Sequence, residues 1–130
     1  MHTIYHTDAF ILKKMPSGEA NVRVWLFTRD FGLVIAMVQG VRKSGAKLQM
    51  HLVEYSRVNV DLVRGKDIWR MVSIATSTAP LLSTPRIPLA RSFVRTLNAV
   101  ERFCHGEEVH EALFDHIVAC SELLGRGDIE

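Results

Sequence analysis

Cysteine is scarce in this sequence: there are two, Cys104 and Cys120, and both fall on stretches with helical periodicity. A disulfide framework would need more of them, set among turns. Burial must therefore supply the stability, and a reducing cytoplasm is the expected setting. Long apolar runs are also missing. None approaches the roughly 18 residues that cross a bilayer, and the opening MHTIYHTDAF carries Asp8 with no apolar core, so neither a signal peptide nor a membrane partner is expected. Gly-x-Ser-x-Gly, a phosphate loop and His-Glu-x-x-His are all absent. Without a nucleophile, base or metal arrangement, the expectation is a non-enzyme that needs no cofactor.

Metal ligands exist singly. Cys104, His105, His110, His116 and Cys120 could each bind a metal, and His116 and Cys120 share a helix face. Zinc sites usually combine two short Cys-x-x-Cys or His-x-x-x-His spacings. Here the cysteines occupy apolar-stripe positions, which favours buried thiols over ligands.

What is present is an ordinary soluble composition, 48% apolar and 23% charged. The net charge of +2 conceals an asymmetry. Residues 1–80 hold eleven Lys/Arg against six acids, and residues 81–130 hold five against eight. A basic front and an acidic back suggest two surfaces with different partners.

The front reads as five strands: a short one at 9–13, then 22–27, 33–39, one running from Leu52 to Leu62, and 68–74. Val22, Val24 and Leu26 alternate with Arg23, Trp25 and Phe27, the period-2 signature of a strand. SGEAN (17–21), TRDFG (28–32) and RGKD (64–67) supply turns. The one long connection, 40–50, separates strands three and four. This pattern suits a five-stranded OB-fold barrel, and an SH3-like barrel or open sheet nearly as well. STPRIP (83–88) closes the β region, and Pro88 fits the first turn of a helix. Leu89, Phe93, Leu97, Val100 and Cys104 form one helical stripe; Val109, Leu113, Ile117, Cys120 and Leu124 form another, with Glu107 and Glu108 in its first turn and Gly125 at its end. The expected organisation is a β barrel over 1–80 and the start of a helical unit over 81–130.

Two sets of side chains invite a function. Trp25, Phe27, Phe31, Tyr55 and Trp69 could stack on bases. For Trp25 and Phe27 the filling of the barrel interior is the better expectation, whereas Trp69, bracketed by Lys66 and Arg70, is the better stacking candidate. The stronger set is cationic: Arg42, Lys43 and Lys47 in a loop loosened by Ser44 and Gly45, followed by Arg57, Arg64, Lys66 and Arg70. Such a surface attracts phosphate backbones through counterion release, with no need of base-specific geometry.

DAFILKK (8–14), Glu19, then Leu26-Phe27-Thr28 with Gly32, and Gly40-Val41-Arg42-Lys43-Ser44 together resemble the opening of the bacterial recombination mediator RecO family. SRVNVDLVRGKDIWRMVSIA (56–75) resembles that family's fourth and fifth strands, and Leu52-Val53-Glu54-Tyr55 departs from its Leu-Gln-Pro-Phe pattern. The resemblance implies an N-terminal OB-fold that binds single-stranded DNA, with duplex DNA as a further ligand. It also implies a role in DNA repair and homologous recombination, strand annealing, and the partners RecR and SSB. By position, Arg42, Lys43 and Ser44 match the family's basic loop. Lys47, Arg64, Lys66, Trp69 and Arg70 extend it on physical grounds. Full-length members continue into a larger helical domain, often with a four-cysteine zinc module that this sequence lacks, so a fragment or a short variant is expected. The competing expectation is a protein-interaction module, docking through helix stripes that leave apolar surface uncovered.

Overall fold

The computed structural model describes residues 3–18, 20–39, 51–76, 87–104 and 106–126, with side chains of 87–90 and 123–126 outside the description. Arg42, Lys43, Ser44 and Lys47 lie outside the described residues, as do Glu19, most of STPRIP and His105. The elements are β1 (Ile4–Ser17), β2 (Asn21–Thr28), β3 (Gly32–Val38), β4 (Arg57–Arg64), β5 (Trp69–Thr76), α1 (Ile87–Phe103) and α2 (Glu111–Arg126).

The strands close into a barrel in the order β1-β2-β3-β5-β4, an OB-type arrangement. β1 makes closure possible. It is much longer than the expected 9–13 segment because it serves two partners: Ile4–Phe10 pairs with β4, and Ala9–Ser17 pairs with β2. A bulge at Leu12, where the register skips between Ile11 and Lys13, bends the strand between its two sheets. The last seam is thin: β3 and β5 run parallel through the pairs Ala36–Trp69 and Met37–Arg70.

Inside the barrel, Ala9 and Ile11 meet Val22, Val24, Leu26, Val34, Ala36, Val38, Val58, Val60 and Leu62. Tyr5, Phe31 and Trp69 close one end as an aromatic triangle with centroids 5.4–5.6 Å apart. Strand β5 departs from simple alternation. Val60 faces Ile74 while Leu62 faces Met71, so Val72 is an extra residue, and Met71 and Ile74 are both buried. Ser73, two residues beyond the buried Met71, is therefore exposed.

A second core lies outside the barrel wall. Phe10, Leu12 and Phe27 point away from the interior, and Phe93, Leu97 and Val100 of α1 cover them with Phe114 and Ile117 of α2. Phe114 sits 5.3 Å from Phe10 and 5.7 Å from Phe27, ring centre to ring centre. Trp25 and Phe27 thus do not fill the barrel; they belong to this helix-facing layer. Nor does a helix cover all of β3, since Ile35 is 40% exposed.

The helices begin and pack differently from their sequence pattern in α2 alone. Pro88 sits in the first turn of α1 as expected. α2 starts at Glu111 rather than at Glu107, runs past Gly125 to Arg126, and buries Phe114 with Ile117 while Val109 stays outside it. Cys104 and Cys120 border the second core. Burial first, and then the nearby Glu108 carboxylate, push the Cys104 thiol above its usual 9.0, so it stays protonated in the fold at neutral pH.

Two glycines permit close packing. Gly32 has a φ of 72°, and a β-carbon there would stand 2.4 Å from the Glu108 carbonyl oxygen. This contact, with the Leu33 amide donating to the Gly106 carbonyl at 2.9 Å, seats the loop between α1 and α2 on the β2–β3 hairpin. At Gly65 a β-carbon would stand 2.1 Å from the Ile68 carbonyl oxygen, so the β4–β5 turn has no space for a side chain.

Candidate nucleic-acid interface

Three elements converge at one end of the barrel: the start of β2, the end of β3 and the β4–β5 turn. Between them lies an open groove of about 380 Å³ bordered by Asn21, Met37, Gln39, Arg64, Lys66, Trp69 and Arg70, with Asp67 as its one acidic side chain among the described residues. Four of the eight expected site residues are therefore brought together. The other four, Arg42, Lys43, Ser44 and Lys47, lie outside the described residues; Gln39, the last described residue before them, borders the groove.

The local order explains the placement. Outward-facing positions alternate along each strand, so Arg70 on β5 and Met37 on β3 stand side by side, and Arg23 on β2 stands beside Met37. Arg23, Met37 and Arg70 thus form a row across three strands, with both arginines exposed. Arg23 was not singled out from the sequence. It sits almost fifty residues from Arg70, and only the β3–β5 pairing places them in one row.

The basic residues of the groove are not equivalent. Among the described residues, Lys66 and Arg70 form no ion pair, and both are exposed to solvent. Arg64 is 56% exposed at its side chain but engaged: both terminal nitrogens donate to Glu107 Oε1 at 2.9 Å. Its guanidinium carbon lies 4.7 Å from the Trp69 ring centre, a cation–π distance. The Trp69 Nε1–H donates to Glu107 Oε2 at 3.1 Å.

The stacking expectation for Trp69 does not fit this geometry. The residue is 4% exposed, and its ring is spent on Tyr5, Phe31 and Arg64, so it has no open face for a base. Arg70, the next residue of β5, points to the opposite face, and Lys66 lies in the β4–β5 turn, so neither places the ring in solvent. Arg57, part of the same cationic run, lies away from the groove and pairs with Asp8 at 3.1 Å.

Two further cations, Arg29 and Lys13, hold the helices. Arg29 donates from Nε to Asp115 at 3.0 Å and also pairs with Glu111; the Asp115 carboxylate raises the arginine's pKa further. Lys13 reaches Glu101 at 3.5 Å and lies over the Trp25 ring. Among the described residues no cluster of three metal-ligating side chains forms, and no helix is long and apolar enough to cross a membrane.

A closed five-stranded OB-type barrel with a helical hairpin packed on its wall and a cation-rimmed groove at one end defines the class. The sequence matches the family described as "Recombination protein O N terminal" over residues 1–78, and the chain belongs to that family. It is similar to proteins named "DNA repair protein RecO". One from Dehalococcoides mccartyi is 29% identical over 123 residues, covering 95% of this chain and 49% of the relative. One from Aromatoleum aromaticum is 26% identical over 121 residues, covering 93% and 50%. The chain spans about half the length of the relatives it matches.

Proposed function

We propose that this chain acts without catalysis in DNA repair and recombination, binding single-stranded DNA along the basic end of its barrel. On this reading residues 1–80 form the nucleic-acid-binding unit and 81–130 a helical segment. Support comes from one observation above others: Lys66 and Arg70, with no ion-pair partner among the described residues, border a groove that Gln39, one residue before the Gly40-to-Lys47 stretch in sequence, also borders. Arg23 extends that border. Side chains of this kind bind a flexible phosphate backbone with little sequence preference, and the affinity falls steeply with salt. Duplex DNA would bind the same cations. Strand annealing, and action with RecR on strands coated by SSB, are part of this proposal, supported by the resemblance to the RecO family.

The test is fluorescence anisotropy with a labelled oligothymidylate and a matched duplex, across several salt concentrations. Reversal of Lys66 and Arg70 to Glu, or of Arg42, Lys43 and Lys47 to Glu, is expected to remove most of the binding with an unchanged melting temperature. Each lost phosphate contact should lower the logarithmic salt slope by about 0.7. A flat salt response in the parent protein would sink the reading.

A second reading has its own observation. Phe103, at the end of α1, is 75% exposed, and Val109, shortly before α2, is 48% exposed. An apolar pair on the helical hairpin favours docking onto a protein partner. Self-association in light scattering that is lost on Phe103→Ser would support that use of the surface.

A further inference from the structure

Glu107 is the residue that the groove's chemistry leaves unexplained. Three N–H donors converge on its carboxylate: two from Arg64 on one oxygen, and the Trp69 indole on the other. Arg64 belongs to β4, Trp69 to β5, and Glu107 to the loop between the helices, 43 residues from Arg64 and 38 from Trp69 in sequence. A planar guanidinium and a fixed indole N–H aimed at one anion form the kind of site that also takes a phosphate oxygen. The donors are held in place without Glu107. Trp69 is fixed by the aromatic triangle, and Arg64 rests on its ring. The anion is held as well, because the Glu108 backbone is seated against Gly32. The pair nevertheless stays open to solvent, with Arg64 56% and Glu107 42% exposed at the side chain, so an incoming anion has access.

We propose that Glu107 is an internal stand-in for a nucleic-acid phosphate: its carboxylate fills the anion site of Arg64 and Trp69 Nε1, and a DNA backbone entering the groove must displace it. Glu107 is thus a residue that sets affinity by competition. This rests on the groove being the DNA surface. In its terms Lys66 and Arg70 contribute to binding in full, whereas the gain from Arg64 is offset by the loss of its carboxylate partner.

The experiment is oligothymidylate anisotropy between 50 and 300 mM salt on the full chain. Glu107→Gln removes the charge and keeps an acceptor for the indole. It is expected to tighten binding about three- to tenfold at low salt and to steepen the salt slope by up to about 0.7, the value of one phosphate contact. Glu108→Gln removes the same charge one residue away, from a carboxylate that does not reach Arg64 or Trp69 among the described residues, and should shift affinity less than half as much. Arg64→Ala should cost less than Lys66→Ala in the parent, and clearly more once Glu107 is Gln. The Arg64 and Lys66 comparison needs no Glu107 variant to fold. Equal effects of Glu107→Gln and Glu108→Gln would overturn the competition, leaving only general electrostatics. So would an Arg64→Ala cost as large as that of Lys66→Ala, or one independent of Glu107. If Glu107→Gln binds as the parent while Lys66→Glu with Arg70→Glu abolishes binding, Glu107 only fastens the loop and the groove reading stands. If that double reversal also binds as the parent, the groove reading fails and the competition with it.

Discussion

The helix-covered wall of the barrel and its groove end carry the same types of cation and use them in opposite ways. On the wall, Lys13 and Arg29 face Glu101, Glu111 and Asp115 of the helices, next to a layer of phenylalanines. At the groove, Lys66 and Arg70 face solvent, and Arg64 alone is tied, to Glu107. The basic front and acidic back of the sequence are therefore partly a single docking interaction within the chain, not simply two surfaces for two partners. Charge counts alone cannot make that distinction, because a cation's role depends on whether the fold brings a carboxylate to it.

The comparison predicts that the wall governs stability and the groove governs binding. The sharpest way to break it is Phe114→Ala. Phe114 is fully buried between Phe10 and Phe27, and its removal leaves a cavity between helices and barrel. A loss of about 3–5 kcal/mol is expected, read by denaturant titration. The surviving barrel should retain its salt-dependent affinity for oligothymidylate under conditions where the variant stays folded. Loss of binding in a folded variant would mean that the two regions are not separable.

Gly32→Ala comes next. The left-handed backbone alone disfavours a β-carbon by about 1–2 kcal/mol, and the 2.4 Å approach to the Glu108 carbonyl requires backbone to move. A total near 3 kcal/mol in the same titration is expected. Because the displaced loop carries Glu107, this variant should also loosen the Arg64 pair. A melting temperature equal to that of the parent would show that the loop is not seated on the hairpin as described.

Much of this architecture was legible in the chain. The turns at 17–21, 28–32 and 64–67 and the strands between them follow from period-2 alternation and turn chemistry, which are local. The failures share one cause. The bulges at Leu12 and Val72 shift parity by one residue, so Met71 and Ile74, set on opposite faces by simple alternation, are both buried. The α2 stripe anchored on Val109 missed Phe114 because the helix starts only at Glu111. Trp69 looked like an exposed ring because Lys66 and Arg70 bracket it, but Arg70 points to the opposite face of β5 and Lys66 lies in the turn before it. Arg23 came into line with Arg70 only through the β3–β5 pairing, and Glu107 reached Arg64 and Trp69 only through the return of the interhelical loop. Periodicity reports which face a residue occupies; it does not report what stands opposite.

The smallest effects give the cleanest separation, because they cross. Arg29 and Arg23 flank the β2–β3 ribbon, one just past the end of β2 and the other near its start, and both are exposed enough to be replaced without a cavity. Arg29→Ala removes the ties to Asp115 and Glu111 and should lower the melting temperature slightly, by an amount that shrinks as salt rises. It should leave the slope of DNA affinity against salt where it was. Arg23→Glu should do the reverse. It removes no ion pair found among the described residues, so the melting temperature should hold, while oligothymidylate affinity at low salt falls about three- to tenfold with a shallower slope. If both arginines changed both measurements, cations on this barrel would act as one diffuse positive field. If they separate, a cation's function here is set by the presence or absence of a carboxylate on the helical hairpin.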